Sequence, residues 1–205
     1  MALPQLLAHS PAAFIAVLGA LGLLVGSFLN VVIHRLPVMM DREWRRDCTA
    51  LLTPDRPLPD EARYNLAVPR SCCPRCGGAI RAIDNIPVLS WLLLRGRCRH
   101  CGAPIAARYP VVEAVAGAMG ALVAWRYGYG IAAPLAAIMA WCLLALAVID
   151  YDTMLLPDSL TLPLLWLGLA ANLFGVFVPL DTAVVGAMAG YLTLWGVFWA
   201  FKLAT

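Results

Sequence analysis

The sequence predicts an all-α polytopic membrane protein with about five transmembrane helices and one cytoplasmic basic insert. Three observations predict it. Hydrophobic residues make up 62% of the 205 and charged residues 13%, at a mean hydropathy of +0.79; soluble domains carry about 25% charged residues. Apolar runs near the 20 or so residues that cross a bilayer recur along the chain. Of 15 Lys and Arg, 13 fall between Arg35 and Arg108, leaving only Arg126 and Lys202 outside, so the net charge of +3 hides a strong segregation. Basic loops stay on the cytoplasmic side, which accounts for the charge without a nucleic-acid partner. The partner that this composition calls for is the lipid bilayer.

The boundaries follow. Residues 1–33 hold the first span, 34–110 the cytoplasmic insert, and 111–205 a four-span membrane domain. The first ten residues carry no Lys or Arg, so the basic start of a signal peptide is missing. From about Ala12 to Ile33 the chain crosses inward, which places the N-terminus outside. Within that span Gly26 and Ser27 are small enough for close helix packing, and Asn30 is open to a packing role or a place at a site. After the insert, spans run from Val111 to Tyr127, Ile131 to Ile149, Leu160 to Val178 and Thr182 to Leu203. Glu113, just inside the second of the five, snorkels or pairs with Arg108.

The insert carries its own signal. Its first part, Thr53 to Pro69, contains Pro54, Pro57, Pro59 and Pro69 and reads as irregular loop. Further on, Cys73-Pro74-Arg75-Cys76 and Cys98-Arg99-His100-Cys101 form two C-x2-C pairs separated by 21 residues, each followed by glycine. Two such knuckles bring four thiolates within reach of one tetrahedral Zn2+. A shell of four thiolates leaves no open position, so this zinc holds structure and does no chemistry. A redox C-x-x-C normally occurs once, and disulfides are disfavoured on a cytoplasmic face. Cys72 becomes a ligand only in a shifted register; Cys48 and Cys142 read as ordinary residues. The apolar stretch Asp84 to Leu94 between the knuckles is too short to span. It lies on the membrane or packs as the insert's small core.

Three carboxylates, Asp150, Asp152 and Asp158, fall in nine residues between two apolar runs. Charge at membrane depth is costly and marks function by default. Asp158-Ser159 also reads as a helix N-cap, whereas Asp150 lies closest to the hydrocarbon. A lone carboxylate at such a place relays ions or protons. A pair splits its titration, one member activating water while the other protonates the leaving group. No histidine sits near a nucleophile in the spans, and no Gly-rich phosphate loop is present.

Gly26-Ser27-Phe28-Leu29-Asn30-Val31-Val32-Ile33-His34-Arg35-Leu36-Pro37, the two C-x2-C pairs, and Asp150 through Pro157-Asp158 to Gly168 together resemble the bacterial prepilin peptidases, from about residue 15 to the end. The resemblance implies a multi-pass aspartic endopeptidase of the inner (cytoplasmic) membrane. Its substrates would be type IV prepilins and type II secretion pseudopilins, cut on the cytoplasmic side. It would also N-methylate the new N-terminus with S-adenosylmethionine, for which no binding residues are assigned. Asp150 matches the first catalytic aspartate, with Asp152, Pro157 and Asp158 at later positions of the same pattern. The family's second catalytic aspartate lies in a Gly-x-Gly-Asp motif that occurs nowhere in these 205 residues. The expectations are therefore a truncated copy, half of a split enzyme, or a pairing of Asp150 with Asp158 or with a second chain. A catalytically incomplete protein that binds prepilins without cutting them is the alternative to the enzyme.

Overall fold

The computed structural model describes residues 3–53 and 62–205. The expected irregular loop with Pro54, Pro57 and Pro59 falls mostly in 54–61, outside the described residues. The described chain is helical: α1 (Leu3–His9), α2 (Pro11–Leu52), a 3-10 turn (Ala82–Asn85), α3 (Leu89–Leu93), α4 (Arg108–Tyr127), α5 (Ala132–Thr153), α6 (Asp158–Leu173) and α7 (Leu180–Ala204). No sheet occurs among the described residues, only isolated bridges at Cys72–Ala79 and Arg97–Pro104. Three helices, α2, α5 and α7, are long and apolar enough to cross a membrane. The other two apolar helices fall short of that measure. The 20 residues of α4 include Arg108, Glu113 and Arg126 among small side chains, and α6 has 16 residues, about 24 Å of rise.

The chain divides into two compact units, Met1–Asp158 and Ser159–Thr205. In the first, α2 starts where Ser10 accepts the Ala13 N–H and Pro11 fills the first helical position. It then runs unbroken for 42 residues, past His34 and well into the segment expected to be insert. Its glycines explain its partner. A Cβ on Gly22 would lie 2.4 Å from the Ala116 carbonyl oxygen, and one on Gly26 would lie 2.6 Å from the Cα of Glu113. From the other side, a Cβ on Gly120 would lie 2.5 Å from the Leu18 carbonyl oxygen. Helices α2 and α4 are thus in backbone contact and antiparallel, by the small-residue packing that substitutes for hydrophobic force in lipid. The third helix, α5, joins through Trp141, whose indole N–H donates to the Ala116 carbonyl at 2.9 Å.

In the second unit α6 stops short of the expected Val178. Asn172 and Gly175 end it: the Gly175 N–H returns to the Asn172 carbonyl, Gly175 has φ +66°, and the Asn172 side chain accepts the Val178 N–H. A left-handed glycine after the last turn is a common helix stop. Helix α7 presents an aromatic girdle of Trp195, Phe198 and Trp199, with the Lys202 ammonium 4.8 Å from the Trp199 ring. Such belts sit at the membrane–water boundary.

Candidate functional site

Each cysteine knuckle is a tight turn closed by its own backbone. Cys73 donates to the Gly78 carbonyl and accepts from Gly77; Cys98 donates to Ala103 and accepts from Gly102. Gly77 and Gly102 have φ +67° and +69°, the left-handed region that glycine enters without penalty. Folded this way, Cys73, Cys76, Cys98 and Cys101 bring their sulfurs within 4.8 Å of one another. Cys73 and Cys101 are 3.9 Å apart, near the roughly 3.8 Å that a tetrahedral Zn–S distance of about 2.3 Å implies. The four could hold a metal ion, and they fit zinc chemically. Cys72 pairs across the first knuckle with Ala79, outside the cluster, and the His100 ring packs beside Gly78.

The cluster's electrostatics are uneven. Backbone N–H groups of Cys76 and Arg75 pull the Cys73 thiol down to about 6. Cys76 goes up to about 11: the Gly78 N–H favours its thiolate, but Cys101, burial, Cys73 and Cys98 outweigh it. Asp84 ties the intervening segment to the second knuckle through Arg99 at 2.6 Å, and the Trp91 indole donates to the Ile105 carbonyl at 3.1 Å.

Asp150 is exposed in the last turns of α5, directly after Ile149, which is 0% exposed. The helix is then cut off. Met154 is left-handed at φ 54° and returns its N–H to the Asp150 carbonyl, while the Thr153 hydroxyl donates to the Ile149 carbonyl. Asp152 forms a two-point ion pair with Arg108 at the start of α4. Residues two apart on a helix point about 200° away from each other, so Asp150 is turned from that pair. Asp158 is the first residue of α6, inside the helix where the N-cap reading put it just before, and its carboxylate lies in the first turn, the end of the helix dipole that favours an anion. No hydrogen bond joins Asp150 to Asp158 among the described residues.

One expectation needs correction. Arg108 pairs with Asp152, not with Glu113. Glu113, 8% exposed, instead accepts the Val88 N–H at 2.7 Å. Asn30 donates to the Tyr109 carbonyl, linking α2 to the start of α4. Sequence reasoning missed Arg35, counted only as a basic flank. It is 9% exposed, and its guanidinium donates to the carbonyls of Asn65 and Pro69 at 2.8 and 2.6 Å. Its signal was Tyr64, whose ring lies under Arg35 and, at 4.4 Å, under Arg42.

Residues 20–127 match a family described as the bacterial peptidase A24 N-terminal domain, and residues 137–203 match the type IV leader peptidase family. A prepilin leader peptidase/N-methyltransferase of Aeromonas hydrophila is 54% identical over 206 residues, covering 100% of this chain and 71% of the relative. The protein of that name from Aeromonas salmonicida (strain A449) is 54% identical over 97% of this chain and 69% of its own. That of Pseudomonas putida is 51% identical over 100% and 70%. No solved structure matches.

Proposed function

The chain belongs to the type IV leader peptidase family, and on that premise we propose that it cleaves the leader of type IV prepilins and type II secretion pseudopilins with Asp150 as a catalytic acid. The observation that carries this reading is Asp150 itself. It is an exposed carboxylate near the end of an apolar helix, aimed away from its neighbouring ion pair and backed by fully buried Ile149. Peptide hydrolysis takes an attacking water and a protonated leaving amine. One carboxylate draws the proton from water and its partner supplies one to nitrogen. Asp150 serves as one of that pair.

The proposed setting is the inner membrane, with the N-terminus outside and residues 34–110, together with Asp150, on the cytoplasmic side. The segregation of Lys and Arg supports it. The division into span 1–33, insert 34–110 and membrane domain 111–205 belongs to the same proposal. Cys73, Cys76, Cys98 and Cys101 hold a structural Zn2+ that keeps the insert folded, so removing it acts through the insert and not through the bond cut. Methylation of the new N-terminus draws its methyl group from S-adenosylmethionine, a step that rests on the relatives' printed names.

The test is cleavage of a prepilin in membranes by this chain beside its Asp150→Asn variant. Cleavage lost in the variant is the expected result; cleavage retained removes Asp150 from the site. No cleavage by either chain, when both are folded and metal-loaded, selects the second reading, a prepilin-binding protein that does not cut.

A further inference from the structure

The segment between the knuckles is neither a span nor a core. Ile83, Ile86, Leu89, Leu92 and Leu93 are all exposed, Leu93 at 83%, and α3 buries none of its residues. Five large apolar side chains within eleven residues form a patch that water would not tolerate without a partner. The structure fixes where this patch sits. At its centre Val88 occupies a turn with φ 61° and ψ −49°, in which the Leu89 N–H returns to the Pro87 carbonyl at 2.6 Å. That γ-turn is rare for a β-branched residue. The Val88 N–H, left pointing outward, is taken by the buried carboxylate of Glu113.

Glu113 lies five residues into α4, about 7.5 Å along its axis, and its Cα backs onto Gly26 in the apolar part of α2. One turn nearer the start of α4, the Tyr109 carbonyl holds Asn30, where the apolar run of α2 gives way to His34 and Arg35. The tether therefore pins the patch to the level at which the apolar runs of α2 and α4 end. Exposed Arg81, Arg95 and Arg97 flank it. Cationic side chains beside an apolar face at that level reach lipid phosphates while the face enters the acyl boundary.

We infer that the segment from Ile83 to Leu93 is an interfacial anchor that inserts its apolar side chains into the headgroup boundary of the bilayer. It is tethered by Glu113 and flanked by arginines for anionic headgroups. Besides holding the knuckles against the membrane, the anchor fixes the insert's height over it. This rests on the membrane character of the helices and not on the peptidase reading.

The test uses the full chain in vesicles containing phosphatidylglycerol, with p-benzoylphenylalanine replacing one residue at a time. Leu93→p-benzoylphenylalanine should give lipid adducts on illumination, identified by mass spectrometry. Their yield should approach that at Leu24 within α2 and exceed that at Arg75 on the first knuckle by about tenfold, as for a side chain placed at the acyl boundary. A yield at Leu93 no higher than at Arg75 overturns the anchor. Adducts formed mainly with a second copy of the chain overturn it too and make the patch a protein interface. Because the readout involves no cleavage, an inactive but folded chain answers the question equally well.

Discussion

Arg108 grips Asp152 with both terminal guanidinium nitrogens, joining the first residue of α4 to the last turn of α5. Each charge is mismatched to its own helix, a cation at an N-terminus and an anion at a C-terminus. Each is matched to the neighbouring helix end that its partner occupies. The pair therefore fixes the two ends side by side, two residues from Asp150.

The Arg108→Gln variant should lose little stability, because the two side chains are 45% and 30% exposed; such pairs contribute about 0.2–1 kcal/mol. Its signature is coupling. The double reversal, Arg108→Asp with Asp152→Arg, restores the ion pair and also suits each charge to its own helix end. Thermal unfolding in detergent should show the double variant at least as stable as the parent, and each single reversal less so. A double variant as unstable as the sum of its singles would mean that the two side chains are uncoupled.

The glycines allow a controlled comparison. Gly22→Ala places a Cβ 2.4 Å from the Ala116 carbonyl oxygen, whereas Gly190→Ala meets nothing within 4 Å in its own unit. Forcing backbones apart costs roughly 1–3 kcal/mol. Gly22→Ala should therefore lower the unfolding midpoint clearly while Gly190→Ala leaves it unchanged or slightly raised. Equal midpoints would contradict the backbone contact between α2 and α4.

How much of this was legible follows from the range of each interaction. The cysteine cluster was legible because its ligands sit in two local motifs, and Gly26 because a small residue in a span has few uses. The 42-residue run of α2 was not, since the unbroken apolar run ends at His34 and Pro37 reads as a helix stop, while the helix continues past both through good helix formers such as Met39, Met40, Glu43 and Arg45. Nor was the choice between Asp152 and Glu113 for Arg108. Sequence proximity favoured Glu113, and only the antiparallel arrangement of α4 and α5 brings Asp152 closer. Arg35 was missed because a basic residue beyond a span reads as an orientation signal even when it clamps carbonyls 30 and 34 residues away.

Glu113→Leu removes the acceptor of the Val88 N–H, whereas Glu113→Gln keeps a carbonyl oxygen in its place. A hydrogen bond to a charged acceptor contributes about 1.5–3 kcal/mol. Amide exchange at Val88 should therefore speed up strongly in Glu113→Leu and only modestly in Glu113→Gln. Unchanged protection in both variants would remove Glu113 as the tether.

The thiol asymmetry of the four-cysteine cluster gives metal binding there a pH dependence with a definite sign. Cys73, lowered from its ordinary value of 9.0 to about 6, offers a thiolate at neutral pH, while Cys76 at about 11 must release its proton to become a ligand. A depressed thiol contributes fully above its ordinary value and loses that contribution as pH falls through about 6. Proton competition at Cys76 should weaken metal retention against a chelator as pH falls below about 11, and protonation of Cys73 should collapse it near pH 6. Cys73→Ser should lose bound metal at every pH, whereas Cys72→Ser, outside the cluster, should retain it. Elemental analysis after dialysis reads both. Equal metal content in the two variants would mean that Cys73 is not a ligand.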